Sequence, residues 1–102
     1  MNQEKKQKLS IQGIEITEVQ ILAAHQMMMG TWRVKDIERA LIAAGVPQYT
    51  KVDAKTVWGQ YKKYPVAMRA ADRILQYERK ADRIAPIPDK RGYWGWVERN
   101  DE

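Results

Sequence analysis

The sequence predicts a mainly helical α+β domain that carries one small β-hairpin. Three observations lead there. A long amphipathic period runs from Val66 to about Asp82, with Ala67, Met68, Ala71, Ile74, Leu75 and Glu78 along one side. Arg69, Asp72, Arg73, Gln76, Arg79, Lys80 and Arg83 fall along the other side at three- and four-residue steps. The period then changes to two across Tyr93-Trp94-Gly95-Trp96-Val97, where the two tryptophans share a face. Upstream, two shorter apolar stripes each begin at a helix-start signal and end at a glycine.

Taken in order, residues 1–13 are polar and lysine-rich and read as a flexible basic tail. Thr17-Glu18-Val19-Gln20 is a capping box, since a Thr followed three residues later by Gln lets each side chain satisfy a backbone N–H of the other. Ile16 before it is placed as a hydrophobic staple, and Val19, Leu22, Ala23 and Met27 recur at helical spacing up to Gly30. Met27, Met28 and Met29 read as gap-filling core ahead of a soft binding surface. His25 is the sole histidine, with no obvious carboxylate partner, which argues against a metal or catalytic role.

Thr31 to Val34 alternates and predicts one brief strand. Asp36 to Ala44 predicts a second helix, with an Ile37, Leu41 and Ala44 stripe, an acidic first turn, and Gly45 and Pro47 as its stop. Asp53 is placed to cap a third helix over Ala54 to Tyr64, with Val57, Trp58 and Tyr61 on one side and Gly59 as a weak point. Pro65 suits the first position of the long helix. Ile84 to Ile87 and Tyr93 to Val97 pair as a hairpin, with a turn carrying Lys90 and Arg91. The whole reads as a single domain over 14–98, followed by a polar tail over 99–102.

Composition narrows the function. The chain has 102 residues, enough for one domain with a modest core. It has no cysteine, and no apolar run approaches the roughly 18 residues of a membrane span, so the expectation is a cytoplasmic protein with no membrane association. Lys and Arg number 18 against 13 Asp and Glu, a net charge of +5. Residues 1–65 carry net +4 and residues 66–102 net +1, so a polyanion surface has to come from placing cations on one face. No Ser/His/Asp grouping, thiol, glycine-rich phosphate loop or paired carboxylates stand out, which points away from an enzyme and from a cofactor; Asp53, Asp72 and Glu78 read as cap and surface charges.

Helix, short strand, helix, long helix and two-stranded hairpin, in that order from about Ile14 to Val97, resembles the winged helix-turn-helix DNA-binding domains. The resemblance is one of pattern, without a diagnostic signature. It implies that Thr17 to Met29 is the first helix, Trp32 to Val34 the short strand and Asp36 to Ala44 the second helix. Val66 to Asp82 is then the recognition helix and Ile84 to Val97 the wing, tipped by Lys90, Arg91 and Gly92. One departure is plain: Gly45 to Pro65 is inserted between the second and recognition helices, where the family has a few residues. Either an extra helix is inserted, or Ala54 to Tyr64 is itself the recognition helix.

The expected function is double-stranded DNA binding, sequence-specific or general, by a small transcriptional regulator or accessory factor. Arg69, Arg73 and Gln76 are the candidate base contacts, because Arg bonds bidentately to guanine and Gln to adenine in the major groove. Lys62, Lys63, Arg79, Lys80, Lys90 and Arg91 are the candidate phosphate contacts. A homodimer suits such binders. The alternative is a protein-docking or dimerisation module on the same fold, with Tyr49, Trp58 and Tyr61 as its surface.

Overall fold

The computed structural model describes residues 9–53 and 61–97, without the side chains of Val52, Asp53, Tyr61 and Lys62. The tail over 1–8, the residues 54–60 and the end from residue 98 lie outside it. Among the described residues the chain forms three helices and three two-stranded antiparallel sheets, an α+β fold.

The chain enters as a hairpin of β1 (Leu9–Ile11) and β2 (Ile14–Ile16). Gln12 and Gly13 both take positive φ, 51° and 78°, the backbone that a two-residue turn between right-twisted strands demands. Leu9 pairs with Ile16 and Ile11 with Ile14, which puts the apolar residues on one face and Ser10 and Glu15 on the other. Leu9, Ile11 and Ile16 are buried. The expected tail therefore ends earlier than residue 13, and the domain begins by Leu9. Ile16 leads into α1 (Glu18–Met27), where the Thr17 hydroxyl accepts the Gln20 N–H at 3.2 Å and the Gln20 side chain accepts the Thr17 N–H at 2.9 Å. The capping box and the buried Ile16 are as the sequence predicts.

The buried side of α1 is not the predicted one. Ile21, Ala24 and Met28 are buried, while Val19 and Leu22 are 75% and 55% exposed. The helix is apolar on both sides, so two stripes have helical spacing and only packing selects between them. Of the three methionines, Met28 is buried, Met27 packs partly against the core and Met29 is exposed.

Trp32 does not open a strand that runs to Val34. It makes one antiparallel bridge with Trp94, its N–H to the Trp94 carbonyl at 3.0 Å and its carbonyl to the Trp94 N–H at 2.7 Å. The next helix, α2 (Val34–Ala43), starts at once. Asp36 reaches back to accept the Arg33 N–H at 2.9 Å, which satisfies an otherwise orphan donor at the helix start. Ile37 and Leu41 are fully buried, as their spacing predicts.

The inserted segment corrects the sequence reading. β3 (Tyr49–Asp53) pairs antiparallel with β4 (Tyr61–Pro65), from Tyr49 against Pro65 to Asp53 against Tyr61. The predicted helix over Ala54 to Tyr64 is contradicted at Tyr61 to Tyr64, and the rest of it lies outside the described residues. Pro65 is the last strand residue and caps the following helix, rather than occupying its first turn. That helix, α3 (Val66–Lys80), buries Val66, Ala67, Ala70, Ala71, Ile74, Leu75 and Glu78. Three alanines on this face let α2 and α3 approach closely, with Ile37, Leu41 and Ile74 filling the space between them.

The chain ends in β5 (Ile84–Pro86) against β6 (Trp94–Trp96), with Ile84 opposite Trp96 and Pro86 opposite Trp94. Gly95 is buried, and a Cβ there would stand 3.0 Å from Ile87 Cδ1 and 3.3 Å from the Gly30 carbonyl, so glycine is what lets this ribbon sit against the end of α1. No helix among the described residues is long and apolar enough to cross a membrane.

Hydrogen bonding by the Arg33 N–H holds the Asp36 carboxyl below its ordinary value, and the neighbouring Arg33 and Arg39 charges add to this. A depressed carboxyl contributes stability above its unfolded value near 3.8 and loses it as pH falls through the folded one. Asp36→Asn should therefore cost about 0.5–2 kcal/mol at neutral pH. In urea titrations the gap to the parent should be constant from about pH 5 to 8 and close below about pH 4.

Candidate nucleic-acid interface

With its apolar face sealed in the core, α3 turns the opposite face outward. Arg69, Arg73 and Lys80 are exposed, Gln76 is half-buried, and all four fall in one narrow arc because their steps of four, three and four nearly complete whole turns. Arg79 lies one step round the helix and donates through Nη1 to Gln76 Oε1 at 2.8 Å. That bond occupies the oxygen that Gln76 would need to receive the adenine amino group, so bidentate reading requires it to open. Asp72 is exposed beside this row and lowers its positive potential.

Lys90 and Arg91 are exposed on the turn between β5 and β6, which is held by the Ile87 N–H to the Tyr93 carbonyl at 2.9 Å and the Tyr93 N–H to the Lys90 carbonyl at 3.1 Å. Lys90 Nζ stands 5.6 Å from the centre of the Tyr93 ring, and the Arg33 guanidinium 5.4 Å from the same ring. Arg33 was absent from the sequence prediction. It arrives through the Trp32–Trp94 pairing, which sets the residue after one tryptophan beside the residue before the other. Lys63 is exposed on β4 with its Nζ 5.8 Å from the Tyr49 ring, and Arg69 lies 5.9 Å from the Tyr64 ring. Lys62 is on β4, with its side chain outside the described part, as is that of Tyr61; Trp58 lies outside altogether.

A buried polar cluster fixes the helices to the ribbon. Glu78, expected as a surface charge, is 3% exposed. Its Oε1 accepts from Arg83 Nε at 2.6 Å and its Oε2 lies 3.5 Å from His25 Nε2, the carboxylate partner the sequence did not reveal. The His25 ring meets Trp96 edge-on at 6.2 Å, and the Trp96 indole N–H donates to the Met28 carbonyl. The Arg83 guanidinium also covers the Tyr77 ring at 5.5 Å. α1, α3 and the β5–β6 ribbon therefore share one tie.

No protein-family model, curated protein or solved structure matches this chain. What can be said of its chemistry rests on the geometry above. The described residues hold no group of three His, Asp or Glu side chains placed to bind a metal ion. Their concentrated feature is cationic: guanidinium and ammonium groups on α3, on the β5–β6 turn and on β4, interleaved with tyrosine rings.

Because Glu78 is buried and Arg83 supplies its strongest contact, Arg83→Ala should leave a carboxylate without its main donor. The expected loss is about 1–3 kcal/mol in a urea titration. Replacing both partners, with Glu78→Leu and Arg83→Ala together, should recover a good part of it, since no buried charge is then left unsatisfied.

Proposed function

We propose that this chain binds double-stranded DNA as a small winged-helix protein, acting as a transcriptional regulator or accessory factor. One observation carries the reading: a helix with its apolar face fully buried presents Arg69, Arg73, Gln76 and Lys80 in one outward row and leads directly into a ribbon whose turn is cationic. The Trp32–Trp94 bridge supports it further, because it attaches the segment between α1 and α2 to that ribbon, where the resemblance puts its short strand. The strand over Tyr61 to Pro65 supports giving the recognition role in this reading to α3 and not to the inserted segment.

In this reading Arg69, Arg73 and Gln76 meet base edges, while Arg79, Lys80, Lys62, Lys63, Lys90 and Arg91 meet phosphates. The two sets differ in what they contribute. Phosphate contacts release counterions and are blind to sequence, whereas base-edge contacts discriminate by about 1–3 kcal/mol each.

A second reading has its own observation. Val19 and Leu22 are exposed along the outer side of α1, Met29 is exposed just past its end, and Tyr49 is half-exposed on the inserted ribbon. An apolar helix face of this kind suits a protein partner or a second copy of the chain. Such a complex would persist at high salt, while a duplex complex would dissolve steeply.

Arg73→Ala should weaken binding to a selected duplex about 10- to 100-fold and flatten the preference over random sequence. Lys90→Ala should weaken selected and random duplexes alike and lower the salt slope by about one. Fluorescence anisotropy across a salt series measures both. If neither substitution alters duplex binding at moderate salt, the assignment fails.

A further inference from the structure

The inserted β3–β4 ribbon is at odds with its own charges. Lys51 and Lys63 stand directly opposite each other in the ladder, and both are exposed. Like charges in that position repel, which makes them a poor choice for a ribbon that serves only to fold. Among the described residues neither lysine forms an ion pair; Lys63 lies instead over the Tyr49 ring at 5.8 Å. On the other face of the ribbon Tyr64 packs against the core and Arg69 covers its ring. Tyr49, Lys51 and Lys63 share the opposite face, and all three are exposed.

The charge of the segment is just as one-sided. Residues 48–65 contain four lysines and one aspartate, net +3 of the chain's net +5. The same stretch holds Tyr49, Trp58, Tyr61 and Tyr64, four of the nine aromatic residues. Cations concentrated on one ribbon match a polyanion such as the phosphate backbone of a duplex.

We infer that the β3–β4 ribbon is a second duplex-contacting arm, in which Lys51 and Lys63 hold phosphates beyond those reached by α3 and the β5–β6 turn. This rests on the duplex-binding reading above. The connectivity gives the arm its reach. β4 ends at Pro65, where α3 begins, and β5 starts at Ile84, shortly after α3 ends. Fifteen helical residues separate the two ribbons, a span of about 22 Å at 1.5 Å per residue. The two cationic ribbons therefore depart from opposite ends of the candidate recognition helix and serve separate stretches of backbone. Each phosphate so neutralised adds about 0.9 to the salt slope on duplex DNA.

The test is the double variant K51A/K63A in the full chain, compared with parent and R73A. Binding to a random labelled duplex of about two helical turns is followed by anisotropy over a salt series, and stability by thermal melting. The arm predicts a salt slope lower by about two, together with a melting temperature equal to or above the parent, because a repulsive pair has been removed. An unchanged slope in K51A/K63A, with R73A still impaired on a selected duplex, overturns the arm and leaves duplex binding standing. A lowered melting temperature overturns it too, since the lysines would then serve the fold. No salt-sensitive binding by the parent overturns the duplex reading itself, and the arm with it.

Discussion

The pairing of Trp32 with Trp94 is the constraint on which the rest of this structure turns. It is a single bridge of two hydrogen bonds, worth only about 1–3 kcal/mol as bonds alone. Its importance lies in what it aligns. Trp32 is almost fully buried and Trp94 packs against the same core, so the two backbones are drawn together by the burial of large rings. That fixes the β5–β6 ribbon to the connection between α1 and α2, and places Arg33 next to Tyr93 and Lys90. Without it the ribbon would hang from the end of α3 as a two-stranded hairpin, which is marginal in water by itself.

The Glu78 cluster fixes the same ribbon from beneath. A carboxylate with 3% exposure is costly unless its oxygens are engaged, and both are approached, one by Arg83 and the other by His25. Such an ion pair adds little net stability compared with an apolar replacement. What it adds is direction: Arg83 leads into β5, His25 is on α1 and Glu78 is on α3, so the three elements meet in one arrangement. Trp96 completes it through the Met28 carbonyl.

How much of this was legible in the sequence depends on whether the signal was local. The long helix from Val66, the second helix and the terminal ribbon were legible, because a strong period and flanking caps agree with the burial that packing later imposes. The N-terminal ribbon carried a local signal: Leu9-Ser10-Ile11 and Ile14-Glu15-Ile16 alternate around a two-residue turn whose Gly13 takes positive φ without strain, although Gln12, which also takes it, is not a residue type that favours it. The face of α1 was ambiguous in principle, since apolar residues line both sides. In the inserted segment, Val57, Trp58 and Tyr61 mimic a helical stripe after a capping Asp53, yet Tyr61 to Pro65 pairs with Tyr49 to Asp53. Non-local pairing overrode a plausible local period there. The approach of His25 to Glu78 and of Arg33 to Tyr93 had no sequence signal at all, because each joins residues from different elements.

The distribution of charge follows from the same division. The buried carboxylate is paired with Arg83, whose guanidinium is thereby turned toward Glu78 and Tyr77 although it continues the periodic row of α3 and stays half exposed. Other cations stand over rings: Lys63 over Tyr49, Arg69 over Tyr64 and Lys90 over Tyr93, a ring that Arg33 also approaches while its Nη2 lies 3.6 Å from Asp36 Oδ1. A ring holds a cation in place at a modest gain of about 0.5–1 kcal/mol at exposed sites and leaves its charge uncompensated. A carboxylate would hold it more firmly and cancel it. A surface that positions its cations on tyrosines therefore keeps both their order and their field.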